Sequence, residues 1–103
     1  MIKKQFLKSK PVCKATFTVA AEAVENAETV AIVGEFNDWN TTEPVEMKKL
    51  KDGSFKATVE LESGREYQFR YIIDGEKWEN DWQADKYVAT PFGVDNSVVI
   101  AMN

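Results

Sequence analysis

Residues 55–73 read FKATVELESGREYQFRYII, the most regular stretch of the chain. Apolar side chains occupy every second position in its first half, at Phe55, Ala57, Val59 and Leu61. After Ser63-Gly64 the alternation resumes, at Tyr67, Phe69, Tyr71 and Ile73. Because successive side chains of a β-strand point to opposite faces, this pattern predicts two strands separated by a turn. We expect the two apolar rows to form the core.

Further strands are predicted on both sides of this segment. Alternation predicts one at Val12–Val19 and another around 45–48, while Val30–Gly34 is apolar on both faces and predicts a central strand. Residues 97–102 are rich in β-branched side chains and predict a last strand. About seven short strands separated by turns indicate an all-β, immunoglobulin-like sandwich. A small α+β domain is the structural alternative.

The length of the chain indicates one domain, and its charge distinguishes a basic N-terminal segment from an acidic body. A chain of 103 residues supports a single domain. The first ten residues contain four lysines and no acid, whereas the rest contains nine basic and 17 acidic residues. We therefore expect a basic arm at 1–10 and the sandwich at 11–103. The acidic body should repel phosphate backbones, so no nucleic-acid partner is expected, and lysines interleaved with Phe6 and Leu7 are typical of a soluble edge strand.

The same N-terminal region argues against export and against a membrane partner. Lys8, Lys10 and Lys14 interrupt any apolar stretch of the length that a signal peptide or a membrane helix needs. Cys13 is the single cysteine, so no internal disulfide can form. A reducing compartment fits this composition, and we expect a cytoplasmic location.

The residue types give little support to catalysis. The chain has no histidine, and Cys13 lies on the apolar face of a predicted strand, where a buried structural role is expected. Glu76, Glu79, Asp81 and Asp85 could in principle serve glycoside hydrolysis, but the chain is too small for a deep cleft around them. Their spacing is not that of an EF-hand loop. We interpret them as a solvated acidic face and expect no enzyme activity, metal or cofactor.

Two tryptophans fall outside the alternating rows. Trp39 lies in the polar turn 34–40, and Trp78 follows the Asp74-Gly75 turn among charged residues. Both are predicted to be accessible at the surface, although plugs at the open ends of the sandwich are the alternative. Trp82 fits a third exposed ring and a buried one equally well.

Exposed indoles with polar neighbours indicate a sugar-binding surface. The C–H faces of glucose are apolar and its rim is hydroxylated, so a binding site needs flat aromatic platforms surrounded by hydrogen-bonding groups. Arg70, Asn96 and several carboxylates are candidates for that rim.

Three motifs in order along the chain resemble one known family. They are VAIVGEFNDW at 30–39, YQFRYIIDG at 67–75, and FG at 92–93 followed by NSVV at 96–99. The chain resembles carbohydrate-binding module family 48, which includes isoamylase N-terminal domains and the glycogen-binding domain of the AMP-activated protein kinase β subunit. The resemblance implies an early-set immunoglobulin-like sandwich that binds glycogen, starch or related α-1,4 and α-1,6 glucans.

The resemblance also implies roles for five carbohydrate-binding residues. Trp39 and Trp78 would be the stacking platforms, and Arg70 would replace a lysine that hydrogen-bonds sugar hydroxyls. Phe92 would replace a leucine that contacts the sugar, and Asn96 would match an asparagine that hydrogen-bonds the glucan.

The chain departs from the family pattern at two places. Val94 stands where the kinase-type module has a binding threonine, and it cannot donate a hydrogen bond. An extra residue after Gly75 displaces Trp78. We expect non-catalytic binding of α-glucan. The alternative is a protein-interaction module that docks on an enzyme of glycogen metabolism through its edge strands or its basic arm, without binding sugar.

Overall fold

The computed structural model describes residues 2–102, and its strands form two antiparallel sheets packed as a sandwich. Met1 and Asn103, the outermost residues of the two predicted ranges, lie outside the described residues. The strands are β1 (Ile2–Phe6), β2 (Val12–Val19), β3 (Val30–Gly34), β4 (Val45–Glu46), β5 (Lys48–Lys49), β6 (Phe55–Glu62), β7 (Arg65–Ile73), β8 (Lys77–Glu79), β9 (Lys86–Ala89) and β10 (Asp95–Ala101). The predicted all-β sandwich is confirmed.

The order of strands places β7 at the centre of the larger sheet. The four-stranded sheet has the order β1-β2-β6-β5, and the six-stranded sheet has the order β4-β3-β7-β10-β9, with β8 also paired to β7. β2 and β3 have the predicted bounds, and β6 and β7 cover segment 55–73. The structure has more strands than the seven or so expected because it includes several of only two to four residues, too short to show an alternating pattern.

The predicted strand at 45–48 is split between the sheets. Val45–Glu46 pairs with β3 in the six-stranded sheet, whereas Lys48–Lys49 pairs with β6 in the other. Met47 lies between them, buried, and its N–H donates to the carbonyl of Val30 at 2.9 Å. The predicted extended segment is therefore present, but the chain crosses from one sheet to the other at Met47.

The core lies between the sheets and is built from the two rows of segment 55–73, as predicted, together with β2, β3 and β10. Phe69 makes edge contacts with Phe17 at 5.0 Å and with Tyr71 at 5.6 Å between ring centroids. Cys13 is fully buried, and this burial raises the pKa of its thiol. A buried, protonated thiol packs as a small apolar group, which agrees with the structural role expected for it.

The lysine-rich N-terminal segment forms an edge strand, as its pattern predicted. β1 pairs with β2 at the edge of the four-stranded sheet. The Nζ atom of Lys4 lies 2.6 Å from Oδ2 of Asp85, and the same oxygen accepts the N–H of Ile100 at 2.7 Å. Asp85 thus ties β1 to β10 of the other sheet and closes one side of the sandwich.

Candidate functional site

The outer face of the six-stranded sheet carries an apolar floor of its own. Val33 of β3 is paired with Arg70 of β7, and Ile72 of β7 with Trp78 of β8, so each pair shares a face of the sheet. Val33 and Ile72 are buried, yet neither belongs to the cluster between the sheets. The side chains above them therefore cover apolar surface, which makes this face a place where a ligand can pack.

An open groove of about 500 Å³ lies on this face. All five residues predicted to bind carbohydrate line it: Trp39, Arg70, Trp78, Phe92 and Asn96. The remaining lining comes from Gln68, Val94 and the segment 89–91. Residues that are far apart in the sequence are thus brought together on one surface.

Trp39 reaches the groove from a tight turn that follows β3. The side-chain oxygen of Asn37 accepts the N–H of Gly34, and the N–H of Trp39 donates to the carbonyl of Gly34, both at 2.9 Å. Asp38 and Trp39 take positive φ angles of 56° and 55°, and such an angle is uncommon for a residue as bulky as tryptophan. The indole is half-buried. Such backbone strain is typical of positions held in place for a function.

Trp78 enters from the opposite side and lies on a strand. The sequence places Trp78 outside any alternating row, and β8, only three residues long, is too short to show one, yet Trp78 pairs with Ile72 on that strand. Its side chain is 40% exposed. The guanidinium carbon of Arg70 lies 5.7 Å from the centroid of its ring, within cation–π distance. The extra residue after Gly75 thus leaves Trp78 at the groove.

The loop between β9 and β10 supplies the third wall. Both the N–H and the hydroxyl of Thr90 donate to the carbonyl of Val94, at 3.0 and 2.6 Å, and close a turn around Gly93, whose φ is +80°. Phe92 stands at the tip of this turn and is 88% exposed, while Val94 is also exposed. An exposed phenyl ring at the mouth of a groove is available to a ligand.

Gln68 also lines the groove, and it was not among the predicted binding residues. The side-chain N–H of Asn96 donates to Oε1 of Gln68 at 3.0 Å, so the two amides are joined across neighbouring strands. The only signal in the sequence was the outward position of Gln68 in the alternation of β7. An amide pair of this kind keeps donors and acceptors for a further partner.

The prediction that Asp81 belongs to a solvated acidic face is wrong. That residue is 3% exposed, and its carboxylate accepts hydrogen bonds from the hydroxyl of Tyr71 and from the N–H of Gln83. Burial, and the adjacent carboxylate of Asp81, raise the pKa of the Tyr71 phenol well above its usual value and keep it a donor. Among residues 2–102, no three His, Cys, Asp or Glu side chains are grouped to hold a metal ion.

Trp82 is exposed, which settles the choice left open by the sequence. It is 67% exposed but lies outside the groove and lines a different cavity, of about 440 Å³. Trp39 and Trp78 therefore share a surface that Trp82 does not.

Comparison with known proteins gives one family. The family model described as the glycogen recognition site of AMP-activated protein kinase matches residues 19–101. This range covers most of the chain, including β3 to β10 and every residue that lines the groove. No curated protein matches the chain. Within the described residues, the structure has no helix with the length and apolar character needed to cross a membrane.

Proposed function

The chain belongs to the family of glycogen recognition sites of AMP-activated protein kinase, a carbohydrate-binding module, and from this membership we propose that it binds α-1,4 and α-1,6 linked glucan in the groove between Trp39 and Trp78. Modules of this kind are generally non-catalytic, and we propose the same for this chain. Its physical task is to hold a polysaccharide without changing it.

The observation that carries the proposal is the meeting of two indoles and one guanidinium on a single open groove. Trp39 comes from the turn after β3 and Trp78 from β8, and Arg70 lies on β7, the strand between them. If each indole buries about 60 to 100 Å² of apolar surface against a sugar, each contact is worth roughly 1.5 to 2.5 kcal/mol. Two such rings give more affinity than any single hydrogen bond in the groove.

Polar groups beside the rings suit the hydroxyl rim of a sugar. Arg70 presents a planar set of N–H donors, and the joined amides of Gln68 and Asn96 offer both donors and acceptors. Val94 adds apolar surface instead of a hydroxyl. Ordering costs oppose these gains, so we expect a dissociation constant of about 10⁻³ to 10⁻⁵ M, which suits a tethering module.

The test is a calorimetric titration with maltoheptaose, with cellohexaose as the β-linked control. We expect binding of the α-linked sugar only. Trp39→Ala and Trp78→Ala should each weaken it at least about tenfold, since each removes a stacking contact. Leu50→Ala, an exposed apolar residue away from the groove, is the matched control and should bind like the wild type. Unchanged affinity in both tryptophan variants, or equal binding of cellohexaose, would refute the proposal.

The exposed apolar residues of the loop between β9 and β10 support a second function. Phe92 and Val94 are both exposed apolar residues, a combination that also suits contact with another protein. Under this alternative the domain docks on an enzyme of glycogen metabolism. The double variant Phe92→Ser/Val94→Ser would then abolish binding to a glycogen-metabolising enzyme in the absence of glucan, and the wild type would not bind maltoheptaose.

A further inference from the structure

Trp82 is the most exposed of the three indoles, and the glucan groove does not use it. Its side chain is 67% exposed, compared with 40% for Trp78, while Trp39 is half-buried. The cavity that it lines shares no residue with the groove. A ligand that covered this ring would recover the free energy of removing its apolar surface from water.

The backbone around Trp82 is held firmly, so its exposure is built into the fold. The N–H of Asp81 donates to the hydroxyl of Ser97 at 2.9 Å, and the hydroxyl of Tyr87 donates to the carbonyl of Asp81. On the other side, the N–H of Gln83 donates to the carboxylate of Asp81 at 2.7 Å. Both neighbours of Trp82 are thereby fixed, and the ring is presented on a rigid support.

The cavity beside the ring combines apolar walls with a polar rim. Trp82 lies on one side, and the end of β2 with the 3-10 turn Ala21–Val24 lies on the other. Val19, Ala20 and Ala23 supply apolar surface. The polar lining consists of Thr18, Glu22, Tyr71, Asn80, Asp81 and Gln83. This is the composition that a sugar site requires, one flat aromatic ring with hydrogen-bonding groups around it.

The charged residues that line the cavity restrict the class of ligand that can bind there. Two carboxylates, from Glu22 and Asp81, lie in the lining of this cavity, and no lysine or arginine does. A phosphate or another anion would be repelled there. A neutral, hydroxylated ligand is compatible with this lining, and the α-glucan proposed for the groove is such a ligand.

We propose that Trp82 is the platform of a second glucan-binding site, at the end of the sandwich where β2 and the loop after β8 meet. This inference rests on the proposed function of the groove. The groove lies on the outer face of the six-stranded sheet, so one domain holds two segments of a branched polymer at once. Two weak sites on one support bind a polymer more tightly than either does alone, because the second contact forms within the complex.

A fluorescence titration of the double variant Trp39→Ala/Trp78→Ala tests the site directly. Trp82 is then the only indole of the chain, so any change in emission reports on it. We expect maltoheptaose to change its emission and cellohexaose to leave it unchanged. The wild type labelled with 5-fluorotryptophan covers the case in which the double variant does not fold, because ¹⁹F spectra resolve the three indoles once Trp→Phe variants have assigned them.

The outcomes separate the two proposals. If the Trp39 and Trp78 resonances move with maltoheptaose and that of Trp82 does not, the second site is refuted and the groove stands. If no resonance moves, both fail. If cellohexaose moves the Trp82 resonance equally, the site is not specific for α-glucan and the inference is overturned.

Polymer binding gives a separate readout. Trp82→Ala should leave the affinity of the groove for maltoheptaose within about twofold and weaken retention in a glycogen gel about tenfold. Trp82→Phe keeps a smaller ring, so its retention in the gel should lie between that of the wild type and that of Trp82→Ala. Wild-type retention by Trp82→Ala would overturn the proposal.

Discussion

The guanidinium carbon of Arg70 lies 5.7 Å from the centroid of the Trp78 ring, and the Nε atom of Arg70 is buried with no hydrogen-bond partner in the described structure. The two residues come from the adjacent strands β7 and β8, and both line the groove. An arginine held against an aromatic face presents its remaining N–H donors in a fixed plane. The pair therefore unites a stacking surface with directed hydrogen-bond donors.

Removing the guanidinium should weaken glucan binding. A hydrogen bond from a charged group contributes about 1.5 to 3 kcal/mol, so we expect Arg70→Ala to raise the dissociation constant for maltoheptaose about tenfold or more. Arg70→Lys keeps a charged donor group but loses the planar fork, and its affinity should fall between that of Arg70→Ala and that of the wild type. Calorimetry on the three proteins checks this order. Equal affinity across them would show that Arg70 does not contact the sugar.

A hydroxyl introduced at Val94 should strengthen binding. Val94 is 45% exposed and lines the groove, and threonine has nearly the same shape with an added donor and acceptor. A net hydrogen bond of about 0.5 to 1.5 kcal/mol corresponds to about a two- to twelvefold tighter complex for Val94→Thr. Because the site is exposed, the urea midpoint should not change measurably. Affinity equal to that of the wild type would mean that the sugar does not reach this position.

Gly34→Ala should destabilise the fold through a steric conflict. A Cβ atom at Gly34 would lie 2.5 Å from the carbonyl oxygen of Gln68 and 2.8 Å from the Cβ of Phe69. The φ angle of −177° is extended and suits any residue, so the cost comes from close approach alone. Because the obstacle includes backbone, we expect a loss near the upper end of the overpacking range, about 3 kcal/mol. Urea denaturation measures it, and an unchanged midpoint would contradict the packing described for β3 and β7.

Ser97→Ala tests the buried network beneath the Trp82 loop. The Ser97 hydroxyl is fully buried, accepts the N–H of Asp81 and donates to the side-chain oxygen of Asn80 at 2.7 Å. Removing one partner of buried hydrogen bonds costs about 1 to 3 kcal/mol in the free energy of unfolding. The control is Thr58→Val, which removes an exposed Thr16–Thr58 hydrogen bond and should stay within about 0.5 kcal/mol. Equal effects in the two variants would show that the network adds nothing to stability.

Asp74 should make stability depend on acid pH. Its carboxylate accepts the N–H groups of Thr29 and Glu28, at 3.0 and 2.8 Å, and these bonds lower its pKa below the ordinary value. The stabilisation is therefore present above the ordinary aspartate pKa and is lost as the pH falls through the lowered one. Asp74→Asn tolerates the positive φ of 52° but lacks the charge.

Urea titrations at several pH values compare the two proteins. We expect the wild type to be more stable than Asp74→Asn near neutral pH, and the difference to shrink below about pH 4 and vanish under more acid conditions. Asp52, whose pKa is also lowered, by its bonds with Ser54, is present in both proteins and cancels in the comparison. A difference that does not change with pH would assign the effect of Asp74 to something other than its charge.

The long strands were predictable because their alternation repeats over eight or nine residues, as in β6 and β7. β8 and β9, of three and four residues, gave no such signal, so no strand was predicted at Trp78. The burial of Asp81 was not predictable either. It depends on Tyr71 and Ser97, which reach it from two other strands, and an acidic residue among charged neighbours looks solvated in the sequence.

The two-residue period, the turns and the motifs that place the chain in its family are local features, because they depend on residues close together along the chain. Which aromatic rings share a surface depends instead on how the strands pair. Trp78 and Trp82 are four positions apart, yet the pairing of β8 with β7 sends one to the outer face of the sheet, and the anchoring of Asp81 sends the other to the end of the sandwich. Strand pairing and burial involve partners distant in sequence, so no local pattern records where such a side chain ends.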